Sequence, residues 1–84
     1  MKHFASPDFW ACFSKLPEPI QLVARKNYQL LKKEPQHPSL HYKHVGNYRP
    51  VRIGRKYRAL GTKIDTGILW FWIGSHADYD HLLH

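Results

Sequence analysis

The sequence predicts an α+β fold: an N-terminal helical hairpin packed on one face of a curved, mainly antiparallel sheet of about four strands. Three observations lead there. Between residues 7 and 33, apolar residues recur every three or four positions, the spacing of a helix face. From residue 40 onward the period drops to two, the spacing of a strand. The most apolar run, "ILWFWI" at 68–73, comes last and is apolar on both faces, which places it in the middle of the sheet.

The elements follow in order. "KHFA" reads as a short first strand. In "SPDF", Ser6 is placed to cap a helix, with Pro7 at its first position and Asp8 in its first turn. Phe9, Phe13 and Leu16 continue it at helical spacing, beside Trp10, until Pro17. A second helix runs through "PEPIQLVARKNYQLLKKEP", where Ile20, Ala24, Tyr28 and Leu31 form a stripe widened by Leu16, Val23 and Leu30. Lys32 and Lys33 suit its C-terminus, and Pro35 and Pro38 end it.

"LHYKHV" alternates as a strand, and Gly46-Asn47 is a turn signal. "YRPVRIG" and "KYRALGTKI" are the next two strands, with Pro50 marking an edge or a bulge. Asp65-Thr66-Gly67 turns the chain into the last strand. On a regular strand Ile68, Trp70 and Trp72 share one face, and Leu69, Phe71 and Ile73 the other. Each Trp reads first as core. Ser75 can cap a final helical turn in "SHADYDHLL".

At 84 residues the chain is expected to be one domain, 1–84, with a modest core. Apolar content of 43% with 14% aromatics argues for a folded chain rather than a disordered one. A lone Cys12 allows no internal disulfide, and neither a signal-peptide core nor a membrane-length apolar run is present. A cytoplasmic protein with no membrane partner is expected. Thirteen Lys and Arg against 6 Asp and Glu leave a net charge of +7, which favours a polyanionic partner such as nucleic acid or the ribosome.

Seven histidines raise the question of metal binding. Pro38 prevents a helical pairing of His37 with His41, and on a strand His41 and His44 point to opposite faces. His81 and His84 could share a helical face at the C-terminus, with no cysteine pair to complete a site. No metal and no cofactor are expected.

Three stretches carry a resemblance to a known family. "NYRPVRIGRKYRALG" resembles the middle hairpin of the RelE/ParE superfamily of type II toxins. "IGSHADYD" is similar to the end of that family's last strand. "HPSLHYKHVG" resembles the approach to the sheet in its YafQ-like branch, whose Gly-Thr-His-Ala-Asp motif is close to Gly74-Ser75-His76-Ala77-Asp78.

The resemblance covers nearly the whole chain and implies a RelE-like fold. It also implies a ribosome-dependent mRNA endoribonuclease that is neutralised by an antitoxin. The ParE branch implies a DNA gyrase inhibitor on the same fold, so fold does not settle function. A basic RNA- or protein-binding domain without activity is the third reading.

By resemblance, Arg52 and Arg58 hold the scissile phosphate and His76 is the general acid, with Arg49 next in weight. His37, Asp80 and Tyr79 remain open as the base. Lys43, Lys56, Arg55 and Tyr79 are the expected RNA contacts. The sequence departs from the YafQ-like pattern in the middle hairpin. An acidic residue and a histidine of that branch stand here as Lys56 and Arg52. Arg49 and Arg52 are three apart, so a regular strand points them to opposite faces, and a bulge at Pro50 would bring them together.

Overall fold

The structure, a computed structural model, describes residues 2–83. Strand β1 (Lys2–Ala5) leads straight into helix α1 (Pro7–Ser14). Ser6 caps that helix as expected, its Oγ accepting from the Phe9 N–H at 3.2 Å. The Ser6 N–H in turn donates to the Trp70 carbonyl at 3.0 Å, which moors the helix to the sheet. Helix α2 (Glu18–Lys33) follows the Pro17–Pro19 corner. Gln21 Nε2 bonds the carbonyls of Phe13 and Leu16, both at 3.2 Å, closing the corner between the helices.

Strands β2 (Tyr48–Ile53), β3 (Tyr57–Ile64) and β4 (Gly67–Ser75) complete a four-stranded sheet of order β1-β4-β3-β2. The β1–β4 pair is parallel, and the others are antiparallel. The apolar run is interior, as its two apolar faces require. Helix α3 (His76–Leu83) closes the described chain, and Ser75 caps it through the Asp78 N–H at 3.1 Å. The core lies between the helices and one sheet face: Phe13, Ala24 and Leu31 meet Val51, Ile53, Ala59, Ile68, Trp70 and Ile73.

Two expectations are corrected. "LHYKHV" is not a strand. Pro38–Leu40 forms a single 3₁₀ turn, His41 takes a left-handed backbone, and only Val45 bridges Tyr48 across the Gly46-Asn47 turn. Alternation in that stretch is real, but Pro38 and the left-handed His41 break the extended backbone a ladder needs. The segment still runs along β2, where the Lys43 N–H donates to the Pro50 carbonyl at 3.2 Å. That bond lies on the open side of an edge strand, where the missing N–H of Pro50 disturbs no ladder.

The second correction concerns the bulge. Strand β2 pairs with β3 without interruption through Pro50. The irregularity falls instead between β3 and β4, where Leu60 faces Trp72 and Gly61 faces Trp70, leaving Phe71 extra. One added residue reverses the side-chain parity beyond it. Ile68, Trp70 and Ile73 therefore face the helices, and Trp72 turns to the opposite face. There it lies against Leu60, which is 2% exposed although it is outside the helix-side core.

Gly61 makes the close passage at this bulge possible. A Cβ there would sit 2.7 Å from Ile68 Cγ2 and 2.8 Å from Trp70 Cε3. Gly61→Ala is expected to cost about 1–3 kcal/mol by overpacking. For a domain this size that lowers the melting temperature by roughly 4–8 °C per kcal/mol. An unchanged thermal transition would show the strands can part there freely.

His3 gives the fold a pH dependence. Its Nδ1 accepts from Trp70 Nε1 at 3.1 Å, and its ring stacks on Trp70 and meets the edge of Tyr28. Burial, aided by Lys32, pushes its pKa below the ordinary 6.5. The folded state therefore prefers the neutral ring. The stability this contributes is present above pH 6.5 and is lost as pH falls through the depressed folded value. The melting temperature is expected to drop as pH falls from 6.5 toward that depressed value, and to drop less in His3→Gln. An equal slope in both proteins would count against this role for His3.

Candidate active site

The face opposite the helices carries the site. Residues paired directly across antiparallel strands share a face, so the register assigns them. Arg52 stands opposite Arg58, and Arg58 opposite Gly74. Further along the same face, Pro50, Leu60 and Trp72 form a row, followed by Tyr48, Thr62 and Leu69. The two arginines sit at the end of the sheet where α3 begins.

Each guanidinium is held from behind. Arg52 Nε donates to the Gly54 carbonyl at 2.9 Å, and Asn27 of α2 donates to the Arg52 carbonyl at 3.0 Å, fixing β2 under the helix. Arg58 Nη1 donates to the Tyr57 carbonyl at 2.9 Å. Burial is the largest influence lowering the Arg58 pKa, and Arg52 adds to it; Tyr79 and Asp80 pull the other way. Arginine starts so high that it stays a cation. Two like charges directly opposite each other are unfavourable in a sheet, and an anion between them would remove the conflict.

Helix α3 supplies the groups that face these cations. The His76 N–H donates to the Lys56 carbonyl at 2.7 Å, so the helix starts on the β2–β3 turn. His76 Nδ1 lies 3.2 Å from Asp80 Oδ2, one helical turn on, which leaves Nε2 directed elsewhere. Tyr79 lies against both His76 and Trp72, with ring centroids 6.3 and 6.4 Å apart. Its phenol is pushed up, chiefly by burial and also by Asp80, with Arg58 opposing. A phenol so raised remains protonated near neutral pH and is a hydrogen-bond donor, not a base.

Trp72 covers Gly74, where a Cβ would meet its ring at 2.6 Å. Position 74 must therefore be bare if the indole is to lie beside Arg58.

The sequence-named residues divide cleanly. Arg52, Arg58, His76, Tyr79 and Asp80 come together, and Arg55 and Lys56 lie exposed on the adjoining turn. Arg49 does not join them. It is on the helix face, 7% exposed, and its Nη1 donates to the Gly46 and Tyr48 carbonyls at 2.8 and 2.9 Å. It also approaches Tyr42, whose phenol is raised by burial and lowered by this arginine.

His37 caps the 3₁₀ turn, its Nδ1 accepting from the Ser39 N–H at 3.2 Å. Lys43 is exposed beside the open edge of β2. No group of three or more His, Cys, Asp or Glu placed to hold a metal occurs among the described residues, and His84 lies outside them. No described helix is long and apolar enough to cross a membrane.

Two residues of this face were not named for this site from the sequence. Trp72 reached it only through the bulge. His41 reached it through its left-handed backbone, which brings Nε2 within 3.4 Å of Arg52 Nη1. Neither event has a local sequence signal.

A helix pair on one face of a four-stranded mixed sheet is a fold shared with solved RelE toxins. The RelE chain solved in the RelB–RelE antitoxin–toxin complex of Methanococcus jannaschii matches at TM-score 0.66 and 21% identity, over 93% of this chain and 96% of that one. A copper-bound mutant toxin from Helicobacter pylori matches at 0.65 and 17%, over 93% and 97%. The isolated E. coli RelE toxin matches at 0.64 and 11%, over 96% and 93%. No curated protein sequence matches.

The family model of the ParE-like toxin domain matches residues 18–81. The chain belongs to this family, and the protein is a toxin of a toxin–antitoxin system with the RelE/ParE fold.

Proposed function

We propose that this toxin is a metal-independent endoribonuclease that cleaves mRNA on the ribosome in the cytoplasm. The observation that carries the reading is Arg52 opposite Arg58, with the His76–Asp80 pair at their end. Cleavage of RNA without a metal uses the ribose 2′-oxygen as nucleophile. Its bond to phosphorus forms while the bond to the 5′-oxygen breaks, leaving a 2′,3′-cyclic phosphate and a 5′-hydroxyl. The guanidiniums face the charge that develops on the phosphoryl oxygens. His76, oriented by Asp80, delivers a proton to the departing 5′-oxygen.

Trp72 and Tyr79 offer an apolar wall on which a base can stack. Arg55, Lys56 and Lys43 supply exposed positive charge for mRNA or ribosomal RNA. Arg49 acts from the other face by holding the turn before β2. The partner that restrains the toxin is an antitoxin, by likeness to the Methanococcus complex, with an acidic or amphipathic segment suited to the basic face.

The family name favours a second reading, inhibition of DNA gyrase. A binding inhibitor has no use for a proton donor oriented beside two phosphate-sized cations. Purified protein added to translating ribosomes and, separately, to gyrase decides between them. Cut mRNA with normal supercoiling supports the nuclease. Intact mRNA with blocked supercoiling supports the inhibitor.

A further inference from the structure

We propose that His41 is the general base of this site, an assignment that rests on the nuclease reading. In-line displacement at phosphorus needs its base and its acid on opposite sides of the phosphate. Across the sheet the order runs from the segment beside β2 to Arg52, then Arg58, then Gly74 and α3. His41 borders Arg52 at one end of this row, and His76 begins α3 at the other. Two imidazoles thus bracket two guanidiniums.

The local structure is built to hold His41 there. Its backbone has φ 46° and ψ 40°. Among the described residues it is the one non-glycine with positive φ. For an L-residue other than Asn or Asp this conformation costs on the order of 1 kcal/mol, and such strain collects at functional sites. The residues on either side are fixed. Leu40 is fully buried, the His41 N–H donates to the Pro38 carbonyl at 3.2 Å, and the Lys43 N–H is tied to β2.

The ring chemistry also fits. A guanidinium carries only donors, so the Nε2 that faces Arg52 Nη1 at 3.4 Å presents its lone pair. The contact is long and exposed, and a phosphate that drew Arg52 toward itself would release that lone pair to a 2′-hydroxyl. The other bases weighed from the sequence are engaged. Asp80 is on His76, His37 Nδ1 accepts from Ser39, and the Tyr79 phenol is held in its protonated form.

His41 takes the 2′-hydroxyl proton as the oxygen bonds to phosphorus, and His76 gives its proton to the 5′-oxygen as that bond breaks. The test uses a short mRNA on ribosomes, carrying either the natural linkage or a single sulfur in place of the bridging 5′-oxygen at the cleaved codon. A thiolate leaves without protonation, so sulfur removes the need for an acid and leaves the need for a base.

His41→Asn is expected to cleave about 10²-fold more slowly than wild type on both linkages. His76→Ala is expected to be slow on oxygen and restored on sulfur. Asn and Gly both accept the left-handed backbone, so His41→Asn and His41→Gly should keep the wild-type melting transition. A folded His41→Asn protein that cleaves at the wild-type rate, or whose defect disappears on sulfur, overturns the assignment. So does loss of folding in both variants, which would make the ring structural. Wild-type protein that leaves both messages intact removes the nuclease reading itself. Active wild type beside an unimpaired His41→Asn removes only the base.

Discussion

Arg58→Ala is expected to slow mRNA cleavage by about 10²–10³-fold, the usual cost of removing one group that faces developing charge. Its position explains why the effect should be large. Arg58 stands on an interior strand between Arg52 and α3, partly desolvated and within the field of Tyr79 and Asp80. A charge in that setting interacts more strongly with a bound phosphate than one in open water.

Folding should suffer little. The side chain has one hydrogen bond, to its neighbour's carbonyl, and it repels Arg52 across the ladder. Arg58→Lys keeps the charge and loses the planar fork, so its rate should fall between the two. Single-turnover cleavage on programmed ribosomes, with thermal melting of each variant, checks the separation. A large fall in melting temperature that accounts for the lost activity would contradict it.

His76→Ala should slow cleavage by about 10²–10⁴-fold, the range for loss of a positioned proton donor. Asp80→Asn should have a smaller effect, since it removes the group that orients the ring and leaves the ring in place. The pair is half exposed on both sides, so its contribution to stability is small and both variants should melt close to wild type. RNA affinity should change little in His76→Ala, because the cations are untouched. Comparison of binding and cleavage rates for the same variant tests this, and a matched loss in both would make His76 a binding residue.

Much of this architecture could be read from the chain. Ser6-Pro7-Asp8 specified the start of α1 because a cap is a local device. The six-residue apolar run named the interior strand, since only such a strand hides both faces. The resemblance named Arg58, His76 and Asp80, and the fold brings these three to one end of the sheet. What was hidden depends on register and backbone sign. Phe71 looks like any strand residue, yet as the unpaired one it sends Trp72 to the face opposite the helices. Pro50 looked like the place for a bulge, but an edge strand absorbs a proline with none. Arg49 and Arg52 therefore stay on opposite faces, one structural and one beside the site. His41 lies eleven positions from Arg52 and meets it from a left-handed backbone, φ 46°.

Under the proposed function, paired arginines and His76 form an RNA-cleaving centre used during translation. The most direct measurement is to induce the protein in growing cells and map transcript 5′ ends, with Arg58→Ala as the control. Cuts in phase with codons, confined to translated regions and absent with Arg58→Ala, are the expected result. Arrested growth with intact transcripts, or cuts of equal frequency with Arg58→Ala, would contradict it.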